Sequence, residues 1–426
     1  MAIIILSWGL FLSWFGIKLY NHILNPQTLF VSFISFIVLL SSFRLYNMIE
    51  ISNQTYYLIF FGITFYSIGV YLVRDKIFTF NRHNRINKEL SKVINIKFLR
   101  LLITCLIVWS IYRLFHVVIP LLKMGYPLDM IRLAYFGIEI KGISYNNFDS
   151  VLEMFVNLPF LYSIIPITAA DFFSNSPNRT FSLFDYILIF TWIILSTIIS
   201  GGRVLLYITG VVFLFSFLLN KKNTFQSKRK NSNISIILLI ILLIVIVYKL
   251  TVNRTVGNND GGLLYNLYVY FCGSVPHTSL RLDTVKMDYT YGLTLISGFI
   301  RPLMLVYKYL VGNFPEIYQR TLDIGLTLQS PVYITDVKSF NAFVLPFYYF
   351  YNDFGVLGVI TDSFIYGIFS GIVFFRFKKV PQKINLAKYL LIIIYIYTSM
   401  IRFSPSIVYF AFAYFYINFC FLNKET

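Results

Sequence analysis

The sequence predicts an all-α, polytopic membrane protein, a transmembrane helix bundle of about 11 to 13 spans. Of its 426 residues, 58% are hydrophobic and 19% aromatic, and the mean hydropathy is +0.71. A soluble core of this size cannot bury so much apolar surface, so lipid must cover part of it. The formal charge of +18 is gathered in short loops between apolar runs, which indicates orientation signals and argues against a nucleic-acid-binding face.

Apolar runs of spanning length recur along most of the chain. A transmembrane helix needs about 20 mostly apolar residues. Eleven runs of roughly that length lie near 2 to 20, 28 to 47, 56 to 73, 98 to 120, 151 to 172, 182 to 200, 203 to 219, 234 to 252, 355 to 376, 386 to 404 and 406 to 423. The first run has no basic segment before it and no small-residue cleavage site, so it predicts a retained span and not a signal peptide.

The charges in the loops predict the orientation. Lys and Arg are concentrated in 74 to 97, 221 to 230 and 376 to 388, and alternation through eleven spans puts these loops on one side. The positive-inside rule makes that side cytoplasmic, with the N-terminus outside and the C-terminus cytoplasmic. The predicted division is an N-terminal bundle of eight spans in 1–252 with an external loop at 121–150, a long external loop at 253–341, and C-terminal transmembrane helices in 342–426.

The long external loop is too long and too apolar to be an ordinary connection. It contains two apolar stretches, 263 to 271 and 292 to 310, and the second is interrupted by Arg301, Pro302 and Lys308. We therefore expect an interfacial or re-entrant helix in the second stretch. If both stretches crossed the bilayer, the count would rise to about thirteen with the same end orientations.

Cations and proton acceptors are mixed in this loop. Its candidate side chains are Arg254, His277, Arg281, Asp283, Arg301, Glu316, Arg320 and Asp323. Such a mixture beside apolar helices suits an amphiphilic substrate with an anionic head group, because arginine binds phosphate oxygens through paired hydrogen bonds. An imidazole titrates near neutral pH, so His277 is either a general base or a hydrogen-bonded side chain without a catalytic role.

Three further arginines lie at the ends of spans or in the first external loop. A glycine pair predicts a tight turn just before Arg203, which then either binds an anion at the helix N-terminus or only closes the turn. Arg132 is either a ligand or an ordinary surface charge. Arg113 and His116 share a helix face, and we interpret this pair as structural.

Two aspartates accompany the first span after the long loop. Asp353 is either the N-cap of that helix or a proton acceptor, whereas Asp362 would be costly in lipid unless it is paired or faces water. Gly367 and Gly371 predict close helix packing. No phosphate-binding loop, nucleophile elbow, dinucleotide fingerprint or metal-ligand pattern occurs, so the sequence predicts no cofactor and no metal site.

Four features of the sequence together resemble those of one known family. They are Ser-Gly-Gly-Arg at 200–203 between two spans, a long external loop late in the chain, the pattern N-x6-Y-x4-DFG-x2-G from Asn341 through Tyr348 to Gly358, and Arg132 followed by Tyr135 in the first external loop. Together they resemble the O-antigen polymerase family, the Wzy-type oligosaccharide repeat-unit polymerases. In architecture the resemblance covers most of the chain.

The resemblance implies a membrane glycosyltransferase of the GT-C type in the bacterial inner membrane. It would join repeat units into a surface polysaccharide, O-antigen or capsule, on the external face. The donor would be a glycan on undecaprenyl diphosphate and the acceptor a second lipid-linked unit, with inversion at the anomeric carbon and without a metal ion or nucleotide sugar. A chain-length regulator is a candidate partner.

The departure of a diphosphate builds negative charge that preorganised arginines stabilise. On this chemistry we assign the diphosphate primarily to Arg203, and its partners there are Arg254, Arg281 and Arg301. His277 is the candidate base, with Asp353 as its rival. The residues expected to be catalytic are Arg203, His277 and Arg281. Those expected to bind substrate are Arg132, Arg254, Arg301, Arg320 and Asp353.

Three other functions remain open from the sequence. An O-antigen ligase would use the same lipid diphosphate donor and a similar external loop. A polysaccharide flippase or exporter would need an aqueous path and two matching bundles, and the sequence shows no internal repeat. A non-catalytic scaffold of an envelope synthesis complex is the third alternative.

Overall fold

The computed structural model describes residues 1–79, 92–135, 138–174, 179–202, 204–224, 262–285, 288–336, 339–340 and 343–423. Nearly all regular structure in these ranges is helical, which confirms the prediction of an all-α membrane protein. The chain divides into two compact units: residues 1–89, 258–381 and 392–411 form the first, and residues 90–257, 382–391 and 412–426 form the second. This division is interleaved along the chain, and the three consecutive segments expected from the sequence stay a prediction.

The first unit contains the four described helices of the predicted external loop and five helices that lie before or after this loop in the chain. Their bounds are Ala2–Tyr20, Pro26–Ser42, Asn53–Thr79, Gly262–Cys272, Ser274–Leu282, Leu293–Val311, Glu316–Thr327, Pro346–Phe354 and Val356–Lys379. Short 3-10 turns lie at Leu45–Asn47 and Ser404–Ser406, and an antiparallel pair joins Val332–Tyr333 to Ser339–Phe340.

The second unit contains two long helices that are each interrupted by a π-helical turn. The first runs through Ile96–Arg113, the π turn Leu114–Val118 and Ile119–Lys123; the second runs through Asn147–Leu152, the π turn Glu153–Asn157 and Leu158–Phe172. Its other helices are Leu128–Tyr135, Leu183–Ser200 and Val204–Thr224, and an antiparallel pair joins Lys92–Ile94 to Phe421–Asn423. The helices Lys383–Thr398 and Val408–Phe419 each contribute residues to both units.

Helices account for ten of the eleven predicted spans. Among the described residues, seven helices are long and apolar enough to cross a membrane, namely Ala2–Tyr20, Asn53–Arg74, Ile96–Lys123, Asn147–Phe172, Leu183–Ser200, Leu293–Val311 and Val356–Lys379. Four other predicted spans fall on the helices Pro26–Ser42, Val204–Thr224, Lys383–Thr398 and Val408–Phe419, which are not among these seven. The predicted span at 234 to 252 lies outside the described residues, so the total of 11 to 13 spans stays a prediction.

The second apolar stretch of the long loop forms one continuous helix, Leu293–Val311. Pro302 lies inside it without breaking it, and only Thr294 and Gly298 are buried. The interfacial and re-entrant alternatives both stay predictions, and the length and hydropathy of the helix are also those of a span.

Glycines allow two helices of the first unit, Asn53–Thr79 and Val356–Lys379, to pack closely against each other. A Cβ at Gly69 would lie 2.2 Å from the carbonyl oxygen of Phe364, and a Cβ at Gly367 would lie 2.1 Å from that of Tyr66. Real Cβ atoms do not approach backbone this closely, so only glycine permits this separation. The predicted packing role of Gly367 is confirmed.

The turn before Arg203 also follows the sequence prediction. Gly201 ends the Leu183–Ser200 helix in the left-handed region, with φ of 57°, and its N–H donates to the carbonyl of Ile198. Glycine adopts this conformation without strain, which explains its place at the helix end. Arg203 itself lies outside the described residues.

Candidate functional site

The Ser274–Leu282 helix places two of the predicted site residues side by side. His277 and Arg281 are four positions apart, and residues at this spacing share a helix face. His277 is fully buried and Arg281 is 5% exposed. This helix is separate from the seven helices of spanning length.

Hydrogen bonds fix the orientation of both side chains. The Nδ1 atom of His277 lies 2.8 Å from the carbonyl oxygen of Phe343, which can only accept, so Nδ1 carries the proton. The Nε2 atom then accepts from Nε of Arg281 at 3.1 Å. On the other side of the guanidinium, Nη2 donates to the carbonyl oxygen of Ser330 at 2.5 Å and to its hydroxyl oxygen at 3.3 Å. Arg281 is therefore held in one orientation by neutral acceptors.

The guanidinium of Arg281 has no carboxylate to neutralise it. Among the described residues, no Asp or Glu forms an ion pair with it, and the nearby titratable group is the phenol of Tyr348. Burial lowers the pKa of Arg281, but an arginine stays charged at neutral pH. A buried and unpaired cation is costly, so this arrangement favours the binding of an anion.

The environment of His277 argues against a role as general base. Burial lowers its pKa to about 4, and the charge of Arg281 acts in the same direction. The imidazole is neutral at pH 7, but its lone pair already accepts from Arg281 and its low pKa makes it a weak proton acceptor. The geometry therefore favours a positioning role for His277 over the base role expected from the sequence.

The protein is expected to lose stability as pH falls from 6.5 toward 4. In this window the unfolded state binds a proton at His277 that the folded state excludes, so the free energy of unfolding decreases by about 2 kcal/mol between pH 6.5 and 5. Thermal unfolding of the purified protein across this range measures the effect. In His277→Gln this part of the pH dependence should disappear, whereas the control His116→Gln, at an exposed position, should retain it.

Asp353 is the most heavily hydrogen-bonded carboxylate among the candidates. It is fully buried. Its two oxygens accept from the backbone N–H groups of Gly292, Thr294 and Leu295 and from the hydroxyls of Thr290 and Thr294. The expectation that Asp353 caps the span that follows it is wrong, because it caps the N-terminus of Leu293–Val311 from the Pro346–Phe354 helix. With its oxygens committed to these donors, Asp353 is poorly placed to accept a substrate proton.

Arg301 and Arg320 lie on the Leu293–Val311 and Glu316–Thr327 helices. The guanidinium of Arg301 lies over the rings of Phe314 and Tyr318, with centroid distances of 5.2 and 5.8 Å. Arg320 pairs with Glu316 at 2.6 Å and approaches Asp288 at 3.9 Å. Within the described ranges, Arg320 thus has acidic partners and Arg301 has none.

The remaining predicted residues are Arg132, Arg203 and Arg254. Arg132 lies exposed on the Leu128–Tyr135 helix of the second unit. Arg203 and Arg254 fall outside the described residues. Of the eight site residues predicted from the sequence, direct contact is observed for His277 and Arg281.

Sequence reasoning missed the groups that orient Arg281. Ser330 and the carbonyl of Phe343 lie 49 and 66 positions from their partners, and no local pattern marks them. In the part of the chain that the structure describes, no group of three or more His, Cys, Asp or Glu side chains is placed to hold a metal ion.

Fold and site define a class: an all-helical, multi-pass membrane protein with a buried arginine that has no acidic partner among the described residues, on a helix outside the spanning helices. No family model, no curated protein and no solved structure matches this chain.

Proposed function

We propose that this protein is a glycosyltransferase of the O-antigen polymerase type, which joins undecaprenyl-diphosphate-linked repeat units into a surface polysaccharide. The observation that supports it most is Arg281, a buried cation held in place by His277 and Ser330 and left without a carboxylate partner. Such a group is suited to the diphosphate that the reaction releases. The sequence resemblance supplies the glycan and its lipid carrier.

The proposed reaction needs no external source of energy. A hydroxyl of the acceptor glycan attacks the anomeric carbon of the donor, so one carbon–oxygen bond forms while the bond to the diphosphate oxygen breaks. The undecaprenyl diphosphate leaves with the bonding electrons, the acceptor proton passes to solvent, and the anomeric configuration is inverted. Arginine in a water-poor site stabilises the developing charge, because its donors are already oriented before the reaction starts.

The other basic residues have different parts in this proposal. Arg301, which has no acidic partner among the described residues, is assigned to the diphosphate or to a lipid head group. Arg203 and Arg254 keep the contacts expected from the sequence. Arg132 and Arg320 remain candidates for glycan binding, and Arg320 would first have to leave Glu316.

The proposal also includes the membrane in which the protein lies and its orientation there. The polymerisation site faces outward from a bacterial inner membrane, with the N-terminus outside and the C-terminus in the cytoplasm, as the basic loops indicate. A chain-length regulator in the same membrane is the proposed protein partner.

Purified protein supplied only with undecaprenyl-diphosphate repeat units is expected to lengthen the glycan. ATP, nucleotide sugars and divalent ions should be unnecessary, because the leaving diphosphate drives the transfer and arginine replaces a metal in stabilising it. Electrophoresis and mass spectrometry of the products, with and without a chelator, measure this. A strict need for a nucleotide sugar or a metal ion would contradict the proposal.

The lipid-linked glycans that accumulate in cells lacking the gene distinguish a polymerase from a flippase or a ligase. A polymerase defect should leave single lipid-linked repeat units exposed on the outer face. Trapping of these units on the cytoplasmic leaflet would indicate a flippase, and long chains retained on undecaprenyl diphosphate would indicate a ligase.

A further inference from the structure

The second unit contains a cavity that the proposed reaction does not use. Its volume is about 170 Å³. Its lining residues are Tyr112, Arg113, His116, Val117, Gly142, Ile143, Ser144, Asn146 and Asp149. The volume is below the range of about 300–1,000 Å³ for drug-sized ligands, so the cavity admits one small ring and excludes a lipid chain.

Arg113, which lines the cavity, pairs with Glu153, which lies behind it and does not line the cavity. Nη1 of Arg113 donates to Oε2 of Glu153 at 3.1 Å. The other oxygen, Oε1, accepts from the hydroxyl of Tyr135 and from Nδ2 of Asn157, both at 2.9 Å. Three donors on one carboxylate favour its ionised form, in which Glu153 acts only as an acceptor.

Both partners lie next to the two π-helical turns of this unit. Arg113 immediately precedes the turn Leu114–Val118, and Glu153 begins the turn Glu153–Asn157. A π turn inserts one residue into a helix and redirects the side chains beside it, and such turns are frequent at functional sites. The sequence indicated a structural role for Arg113 and His116, and these turns give the pair a second interpretation.

Several polar atoms here have unused hydrogen-bonding capacity. Arg113 is 2% exposed, yet its Nε and Nη2 atoms have no hydrogen-bond partner among the described residues, nor does the hydroxyl of Tyr145. The guanidinium lies 3.2 Å from the ring centroid of Tyr145 and 5.5 Å from that of Trp109. Buried donors of this kind are rarely left unpaired, so they indicate a polar ligand at this position.

The charges around the cavity argue against an anion. Arg113 carries one formal positive charge, and Glu153 and Asp149 carry one formal negative charge each, so this group of three is negative. This is the opposite of Arg281, which has no carboxylate beside it among the described residues. A phosphate would face Asp149 and an arginine already paired with Glu153, whereas a hydroxyl group can donate to Asp149 and accept from the guanidinium.

We propose that this cavity binds a single neutral or amino sugar ring. Each sugar hydroxyl both donates and accepts, which matches the mixture of Asp149, Asn146 and Ser144 with the guanidinium of Arg113 in the cavity lining. The tilted rings of Tyr112 and His116, with centroids 4.1 Å apart, offer an apolar edge to the ring carbons. That the sugar belongs to a growing glycan rests on the proposed function; that the cavity takes a sugar rests on its own residues.

The test compares two variants that alter the cavity with one that does not. Asp149→Asn keeps the shape and removes an acceptor charge, and Ser144→Tyr fills the space from a half-exposed position. Glu139→Gln makes the matched carboxylate-to-amide change at an exposed position of the same unit. Saturation-transfer NMR of the full-length protein in detergent uses glucose, galactose, N-acetylglucosamine and galactosamine as probes, with inorganic diphosphate as the anion.

We expect at least one sugar to bind the unmodified protein and Glu139→Gln, and to bind Asp149→Asn and Ser144→Tyr about tenfold more weakly or worse. The two cavity variants should unfold at the temperature of the unmodified protein. Binding of none of the four sugars, equal binding by all variants, or competition by diphosphate alone would overturn the proposal. Sugar binding without glycan elongation rejects the polymerase and keeps the sugar site, whereas elongation with unchanged sugar affinity in both variants rejects the sugar site alone.

Discussion

Arg281→Met is expected to reduce glycan elongation by about 100-fold or more while the protein stays folded. Methionine keeps much of the volume of the arginine stem and removes its charge. Because a buried cation without a carboxylate opposes folding, its removal should leave the thermal unfolding temperature unchanged or raise it, despite the lost bonds to His277 and Ser330. Elongation by purified protein and thermal unfolding in detergent measure the two effects separately.

Arg281→Lys extends this test. Lysine keeps the charge but loses the planar set of donors, so activity should remain strongly impaired. Arg44→Met is the matched control, because Arg44 is exposed and pairs with Glu50 at the surface, and it should elongate glycan within about threefold of the unmodified protein. Normal elongation by Arg281→Met would remove the main support for the proposed function.

Asp353→Ala is expected to destabilise the protein by about 3–5 kcal/mol and to lower its amount in the membrane. The carboxylate is buried and accepts from the N-terminus of the Leu293–Val311 helix. Without it, the N–H groups of Gly292, Thr294 and Leu295 lose their acceptor in a site that solvent does not reach. Thermal unfolding and immunoblotting of membranes check this outcome.

Asp353→Asn separates capping from catalysis. An amide keeps one acceptor oxygen but turns the other into a donor that faces the Thr294 hydroxyl and Leu295 N–H, so stability should fall together with activity. Asp323→Asn, an exposed aspartate bonded to Gln319, is the control and should change neither property. A fully stable Asp353→Asn that elongates no glycan would instead restore Asp353 as a proton acceptor.

Burial has opposite consequences for the charges of Asp353 and Arg281. Asp353 is buried with five donors, so its charge is compensated and it stabilises the fold. Arg281 is equally hidden but meets neutral acceptors, so its charge remains available to a ligand. Whether a buried charge stabilises the fold or remains available to a ligand therefore depends on its hydrogen-bond partners and not on its depth of burial.

The class of this protein follows from its sequence because hydrophobic length and loop charge are local properties. Ten of the eleven predicted spans coincide with helices, and the helix-packing role of Gly367 was also predicted from spacing. The contact between His277 and Arg281 is local as well, because residues four apart on a helix meet, although no helix was predicted at 274–282.

Only the tertiary structure decided what the candidate side chains do. Asp353 caps a helix that begins 60 positions earlier in the chain, Ser330 orients Arg281 across 49 positions, and Glu153 reaches Arg113 across 40. The π turns that redirect Arg113 and Glu153 are likewise marked by no residue pattern. A sequence fixes which groups can donate, accept or carry charge, but partners at such separations meet only when the packing of whole helices brings them together.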